Sequence, residues 1–405
     1  MSPASKRTPA ALLALLLAAG AAAEPAAPPR VKTVFVIAME NTDWVRPDGD
    51  RALQILGNPA APFLNGLTDG SLTAAVDGRR ISAQTAYAAA YHNVLATPSG
   101  DNPHVHPSEP NYLWAEGGTD YGVHSDADPY GDGGTAQRTT QHLSGLLARA
   151  GVAWRAYQED IALAGSGDAK RNTLLPRSAW TVPLASFIGR SRHYTNAYNG
   201  SHQYGYAAKH DPMLFFADTN GGGDPTPANP AVRFYAPLER LRVDLLQGRV
   251  ACYNWITPDL YNDLHTPLDD GFDVHGVHYR GAQARIAQGD NFLARIVPMI
   301  MASRAFRDGG AIILWWDESV GRGADSYAAT IPEIVISPLA HANVGGKPYA
   351  SVVNLSHSDD LRTMQVLFGV DPSAGQPWLG DAANARGLDD LFAPGALRPR
   401  QGPKK

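Results

Sequence analysis

Four apolar runs of strand length punctuate the chain. Residues 34–38 run into Glu40 and Asn41, 251–256 into Pro258 and Asp259, 311–316 into Asp317 and Glu318, and 334–336 into Ser337 and Pro338. Continuous rather than alternating apolar runs predict strands buried on both faces, as in a parallel sheet covered by helices. Helix-like periodicity predicts helices over 139–150, 290–305 and 359–368. No repeat or linker splits the chain, so the pattern predicts one α/β domain. It has a largely parallel central sheet, helices on both faces and a small loop-rich cap.

Three of the four runs stop abruptly at carboxylates. Ligands of open parallel sheets sit outside the carboxyl ends of the strands, which predicts that these acids converge on one crevice. Taken one at a time, each equally well solvates a strand end. Residues 98–107 and 220–230 are rich in Gly, Pro, Asn, Asp and Ser and read as loops at that edge. Neither has a phosphate-cradling glycine pattern followed by Lys, which excludes a nucleotide P-loop.

Composition narrows the class. Of 405 residues, 44% are hydrophobic and 18% charged, as expected of a globular chain, and 40 glycines with 31 prolines predict long loops. The net charge of −5 and the lack of a basic run in the body of the chain argue against nucleic acid as a partner. Residues 1–23 read as a secretory signal peptide: Lys6 and Arg7, a short apolar core, then Ala21, Ala22 and Ala23. The expected location is secreted or periplasmic, with a body from 24 to 392, a Pro-rich basic tail over 393–405 expected to be disordered, and no transmembrane segment in the mature chain. Cys252, the single cysteine, lies in an apolar run and reads as a buried thiol.

Glu40, Asn41, Asp317 and Glu318 form a hard, oxygen-rich set suited to a divalent cation of unspecified identity. Adjacent acids in a crevice are costly to ionise together unless a cation neutralises them. Ser108 precedes Glu109 and Pro110, so it fits a helix N-cap. It equally fits a nucleophile, because a helix N-terminus offers N–H groups and a positive dipole end to phosphate. His104 and His106 precede it. His210, His265 and His357 each read singly as a hydrogen-bonded or surface histidine.

The chain resembles the phosphoesterase family that joins bacterial phospholipases C and acid phosphatases within the alkaline phosphatase superfamily. The blocks that carry the resemblance are 36–41, 106–112, 209–212, 258–265, Gly289 and Asp290, 316–318, 332–338, and Ser356 and His357 leading to 361–363. The resemblance implies an alkaline phosphatase-like fold and a secreted, metal-dependent phosphoric ester hydrolase. It implies Glu40, Asn41, Asp317 and Glu318 as metal ligands, with Ser108 as nucleophile and further ligand. Asn111 is similar to the Asn of a Thr-x-Pro-Asn element that contacts a phosphate oxygen in related nucleotide pyrophosphatases. His106, His210, His265 and His357 are then expected to line the phosphate pocket as catalytic residues, with Asp263 in the same set.

Many relatives carry Gly-Gly and then Asp-His after the Asp-Glu pair. Here Ser319, Val320 and Gly321, then Asp325, Ser326 and Tyr327 stand in their place, which leaves a second metal open. The chain stops soon after Phe392, which favours an acid phosphatase-like phosphomonoesterase acting on a small-molecule phosphate ester. The alternatives are a phospholipase C acting on a phospholipid and an exported, non-catalytic binding protein of the same fold.

Overall fold

A computed structural model describes residues 29–94, 105–320 and 328–400. The proposed signal segment, His104, Gly321, Asp325, Ser326, Tyr327 and residues 401–405 lie outside the described residues.

Eight strands form the main sheet: β1 (Thr33–Met39), β2 (Thr85–Ala88), β3 (Trp154–Gln158), β4 (Tyr235–Pro237), β5 (Tyr253–Thr257), β6 (Gly310–Trp316), β7 (Glu333–Ile336) and β8 (Tyr349–Ser351). Their order across the sheet is β4-β3-β5-β1-β6-β7-β2-β8. Every neighbouring pair is parallel except the two made by β7, which runs antiparallel to both β6 and β2. All four predicted runs are strands of this sheet, and the sheet is largely parallel as expected. The run at 334–336 alone has the opposite direction, which burial cannot reveal because its side chains are as buried as those of its neighbours.

The longer helices are α1 (Pro62–Asp69), α2 (Ser108–Gly117), α3 (Leu143–Arg149), α4 (Glu239–Leu246), α5 (Gly281–Met301) and α6 (His357–Phe368). Val36, Trp255 and Trp315 meet Ala115 of α2 and Met364 of α6 on one face of the sheet. Met39, an odd number of residues from Val36 and so on the opposite face, meets α5 beside Gly289. Helix α5 begins well before the predicted 290. Asp290 lies in its interior, where its two carboxylate oxygens accept the Phe63 and Leu64 N–H groups at 3.0 and 2.8 Å and so tie down the first turn of α1.

Two expectations are corrected. Residues 393–400 are packed rather than disordered: Ala396 and Leu397 are buried, and the Ala396 carbonyl accepts the Val31 N–H at 2.9 Å. Cys252 is half-buried, because it precedes β5 by one residue instead of lying within it. Among the described residues no helix is long and apolar enough to cross a membrane.

Candidate active site

Three adjacent strands deliver the acids. β1 ends at Met39 and hands Glu40 and Asn41 to the carboxyl edge, β6 ends at Trp316 and hands over Asp317 and Glu318, and the loop after β5 brings Asp263 and His265. Asn41 has φ +39°, a left-handed conformation that Asn tolerates better than most residues. The turn lets its N–H donate to Asp317 Oδ1 at 2.9 Å and its side-chain amide to Glu40 Oε2 at 2.6 Å.

Ser108 is the first residue of α2, not its cap. Pro107 holds the cap position, and no side chain caps the helix there. The buried Ser108 hydroxyl instead lies 3.0 Å from Glu40 Oε2 and 3.4 Å from Glu318 Oε1. One hydroxyl has one proton to donate, so it cannot satisfy both carboxylates. One turn on, Tyr112 donates to Glu40 Oε1 at 2.7 Å, and the Asn111 amide donates to Glu318 Oε2 at 3.0 Å. His106 Nδ1 approaches the same Glu318 oxygen to 2.6 Å.

His210 stacks on Tyr112, with ring centroids 5.0 Å apart. Its Nε2 lies 3.2 Å from Glu40 Oε1 and its Nδ1 3.3 Å from Asp263 Oδ2. Nε2 and Oδ2 are nonetheless without a hydrogen-bond partner, so proximity here is not pairing. Asp317 Oδ2 is likewise buried and unpartnered. His265 lies beside His210 at 5.7 Å between centroids, and Glu40, His210 and His265 each bring a donor atom within 4.8 Å of the others.

Electrostatics follow from this crowding. Burial, then the charges of Asp317 and Asp263, push Glu40 well above the usual carboxylate range, and burial with Glu318 pushes Asp317 up to about 8. Burial and the Lys209 ammonium push His265 down to about 4 and hold His210 well below the usual histidine range. Unpartnered buried acceptors are expensive. A hard, oxygen-rich set with such orphans fits a divalent cation held by Glu40, Asn41, Asp317 and Glu318, with Ser108 beside them.

The structure thus brings together Glu40, Asn41, His106, Ser108, Asn111, His210, Asp263, His265, Asp317 and Glu318. It moves two residues elsewhere. His357, expected in the phosphate pocket, is a strut behind it. Trp315 Nε1, which can only donate, points at His357 Nδ1 at 3.0 Å, so the ring proton sits on Nε2 and is donated to the Asp317 carbonyl at 2.6 Å. Burial holds this ring neutral, its pKa pushed down to about 3. Asp259, expected in the crevice, joins Glu159 and Asp160 in a separate buried group.

Three neighbours had no role in the sequence reading. Tyr112 sits one turn past Ser108. Lys209 adjoins His210 and pairs with Asp126 at 2.8 Å, and although burial opposes it, the charges of Glu40 and Asp126 keep it firmly protonated. Arg285 reaches the site from α5. Adjacency to Ser108 and His210 was a usable signal for the first two, whereas a lone Arg inside a helix gives none.

Residues 99–371 match the model of the Phosphoesterase family. A curated relative, the phosphatidylinositol-3-phosphatase of Mycobacterium tuberculosis, is 24% identical over 339 residues, covering 84% of this chain and 78% of its own. Among solved structures, the lipoteichoic acid synthase LtaP of Listeria monocytogenes matches with a TM-score of 0.45 and 10% identity, over 87% of this chain and 75% of that one. A protein of the alkaline phosphatase superfamily from Vibrio parahaemolyticus matches with a TM-score of 0.42 and 10% identity, over 90% of this chain and 72% of that one. The family model spans more than half of the sequence and includes every pocket residue beyond Asn41, so the chain belongs to the Phosphoesterase family and is a phosphoric ester hydrolase.

Proposed function

We propose that the chain is a metal-dependent phosphomonoesterase with Ser108 as nucleophile. The observation that carries this reading is the placement of the Ser108 hydroxyl: it caps nothing and points between Glu40 and Glu318, beside buried acceptors that lack donors. The cation supplies charge neutralisation for phosphate and favours the ionised hydroxyl. The chain's own residues do the rest. The first turn of α2, whose Glu109 N–H is already given to Asp126 Oδ1 at 3.2 Å, turns the positive end of the helix dipole toward the incoming phosphate. Ser108 Oγ attacks phosphorus, its P–O bond forms as the ester P–O bond breaks in line, and the alcohol leaves with a proton. That proton balances the one Ser108 gives up; His210 and His265, held neutral by burial and Lys209, are positioned as N–H donors, and Lys209 offsets negative charge on the phosphoryl oxygens. Water then cleaves the phosphoseryl ester and restores Ser108.

A monoester on an inositol lipid is the variant favoured by the name of the curated relative. The alternative diesterase reading, that of a phospholipase C, has no such support. We also propose export, on the pattern of residues 6–23.

The deciding experiment compares wild type and Ser108→Ala on an aryl phosphate, an aryl phosphodiester, and vesicles of phosphatidylcholine with phosphatidylinositol-3-phosphate. Loss of the nucleophile is expected to cost roughly 10³-fold or more in kcat, with monoesters preferred by wild type. Near-normal turnover by Ser108→Ala refutes the mechanism, and faster hydrolysis of the diester or of phosphatidylcholine refutes the substrate class.

A further inference from the structure

The two halves of the pocket hang on two strained turns. Among the described residues six non-glycine residues have positive φ, and two of them flank the site: Asn41 at +39° and Leu264 at +79°. A bulky residue such as Leu adopts this conformation only where its surroundings impose it. Asn41 follows Glu40, and Leu264 lies between Asp263 and His265. The turns are stitched together once by the Glu40 N–H, which donates to the Asp263 carbonyl at 2.7 Å.

The second stitch is a side chain. Arg285 projects from α5, and its Nη1 donates to the carbonyls of both Asn41 and Leu264, each at 2.9 Å. One turn further along the same face, Gly289 gives Leu264 its seat: a Cβ there would lie 2.0 Å from Leu264 Cδ1. Gln288 grips the same loop, accepting the Leu268 N–H at 2.9 Å and donating to the Thr266 carbonyl at 3.1 Å. Gln288 reaches only the loop after β5, whereas Arg285 alone of the three also reaches the turn after β1.

We propose that Arg285 is a positioning residue that fixes the Glu40–Asn41 turn against the Asp263–His265 turn, and so sets the spacing between the cation-binding and phosphate-binding halves of the pocket. This rests on the phosphoesterase mechanism proposed above. Arg285 touches neither the reacting atoms nor a ligand side chain; it acts through two backbone carbonyls. A guanidinium suits the task because it stays protonated in a half-buried place and its Nη1 carries two N–H groups in a fixed plane, one for each carbonyl.

The test uses the full-length protein, with Mn²⁺ affinity of the chelator-treated form read by calorimetry, inorganic phosphate binding, and kcat and KM on an aryl phosphate. Residues that orient ligands from behind typically cost 10–100-fold in metal affinity or activity when removed, so Arg285→Met is expected to lose about that much in both Mn²⁺ affinity and kcat, with KM nearly unchanged. Arg285→Lys, whose ammonium ends one bond short of the Nη1 position, is expected to lose roughly 3–10-fold. Gln288→Met is the control: it lowers the melting temperature and leaves Mn²⁺ affinity within about twofold. Wild-type affinity in Arg285→Met, or an equal loss in Gln288→Met, overturns the proposal. If Arg285→Met does not fold, wild-type affinity in Arg285→Lys overturns it in the same way. Should wild type hydrolyse no phosphate ester or bind no Mn²⁺, the functional reading falls by itself. A crystal structure of the folded Arg285 variant then decides this inference: positive φ retained at both Asn41 and Leu264, with their separation unchanged, refutes it, and relaxation of either supports it.

Discussion

Two buried groups of carboxylates lie over neighbouring strands of the same sheet, and hydrogen-bond donors distinguish them. Over β3 and β5, every oxygen of Glu159, Asp160 and Asp259 is met. Glu159 accepts from Asn196, Asn262 and the Asp259 N–H, Asp160 from Tyr194 and the Gly205 N–H, and Asp259 from Asn196 and the N–H groups of Tyr261 and Asn262. Over β5, β1 and β6, Asp317 Oδ2 and Asp263 Oδ2 have no donor, and Ser108 faces two carboxylates with one proton. Burial lifts acids in both groups, Glu159 and Asp317 each to about 8. Clustering and perturbed ionisation therefore do not tell the two apart. The first group is completed by the protein and ties loops together; the second is short of donors, which under the proposed function leaves its acceptors for a cation.

Isosteric amides break or sharpen this contrast most strongly. Asp317→Asn removes a ligand from the incomplete group and is expected to lower cation content, and kcat/KM by roughly 10²-fold or more, at little cost to folding. Asp259→Asn replaces an acceptor by a donor facing Asn196. It is expected to cost about 1–3 kcal/mol of stability while cation affinity and KM stay near wild type. Metal analysis and melting curves on the pair decide the matter: equal losses of cation in both variants would mean that the donor count does not separate site from scaffold.

The same contrast explains what was legible in the sequence. The apolar runs at 34–38, 251–256 and 311–316 had to be buried parallel strands, and their polar ends had to face one edge, so Glu40, Asp317 and Glu318 could be read from pattern alone. Strands β2, β3, β4 and β8 could not, since Thr85, Arg155, Gln158, Pro237 and Ser351 break up their apolar content, whereas the equally short β7 carries the unbroken run 334–336. Asp259 and Asp263 are four residues apart in one loop, yet they serve different groups. Which one turns toward the pocket depends on the left-handed Leu264 and its seat at Gly289, a tertiary fit with no local signature. His357 was assigned by resemblance to the pocket, and only the Trp315 indole, pointing at its Nδ1, shows that it braces the Asp317 carbonyl instead.

A smaller effect is expected from chelation. A ligand bound only by the folded state stabilises by RT ln(1 + [L]/Kd), about 3–4 kcal/mol at 100 to 1,000 times Kd. Stripping divalent cations should lower the melting temperature of wild type and of Asp259→Asn by similar amounts, and that of Asp317→Asn by much less. A melting temperature of wild type that is indifferent to both chelator and added Mn²⁺ would remove the cation from the scheme.

The smallest expected effect concerns a third charged group, which anchors the far end of the helix that begins with Ser108. His142 is buried against Phe216, with Nδ1 2.9 Å from Glu116 Oε2 on the last turn of α2 and Nε2 2.7 Å from Asp218 Oδ1. The Gly145 N–H also points at Nδ1 at 3.4 Å, but the carboxylate is closer, and an acid at each nitrogen favours the doubly protonated ring. Burial pulls its pKa down, and the hydrogen bonds to Asp218 and Glu116 outweigh that and raise it above 6.5. The charged ring therefore stabilises the fold fully below about pH 6.5, and that contribution is lost as pH climbs through the raised value. Asp218, partly exposed and also 3.5 Å from Arg149, is the partner that can be neutralised without leaving a buried charge. Asp218→Asn is expected to cost about 1 kcal/mol near pH 6, to flatten the fall in melting temperature above pH 6.5, and to leave kcat unchanged. Melting curves from pH 5.5 to 8.5 check this: parallel profiles for wild type and variant would show that His142 is neutral, and that this end of α2 is held by the Ser144 N–H and hydroxyl, which donate to Glu116 Oε2 at 2.8 and 2.7 Å.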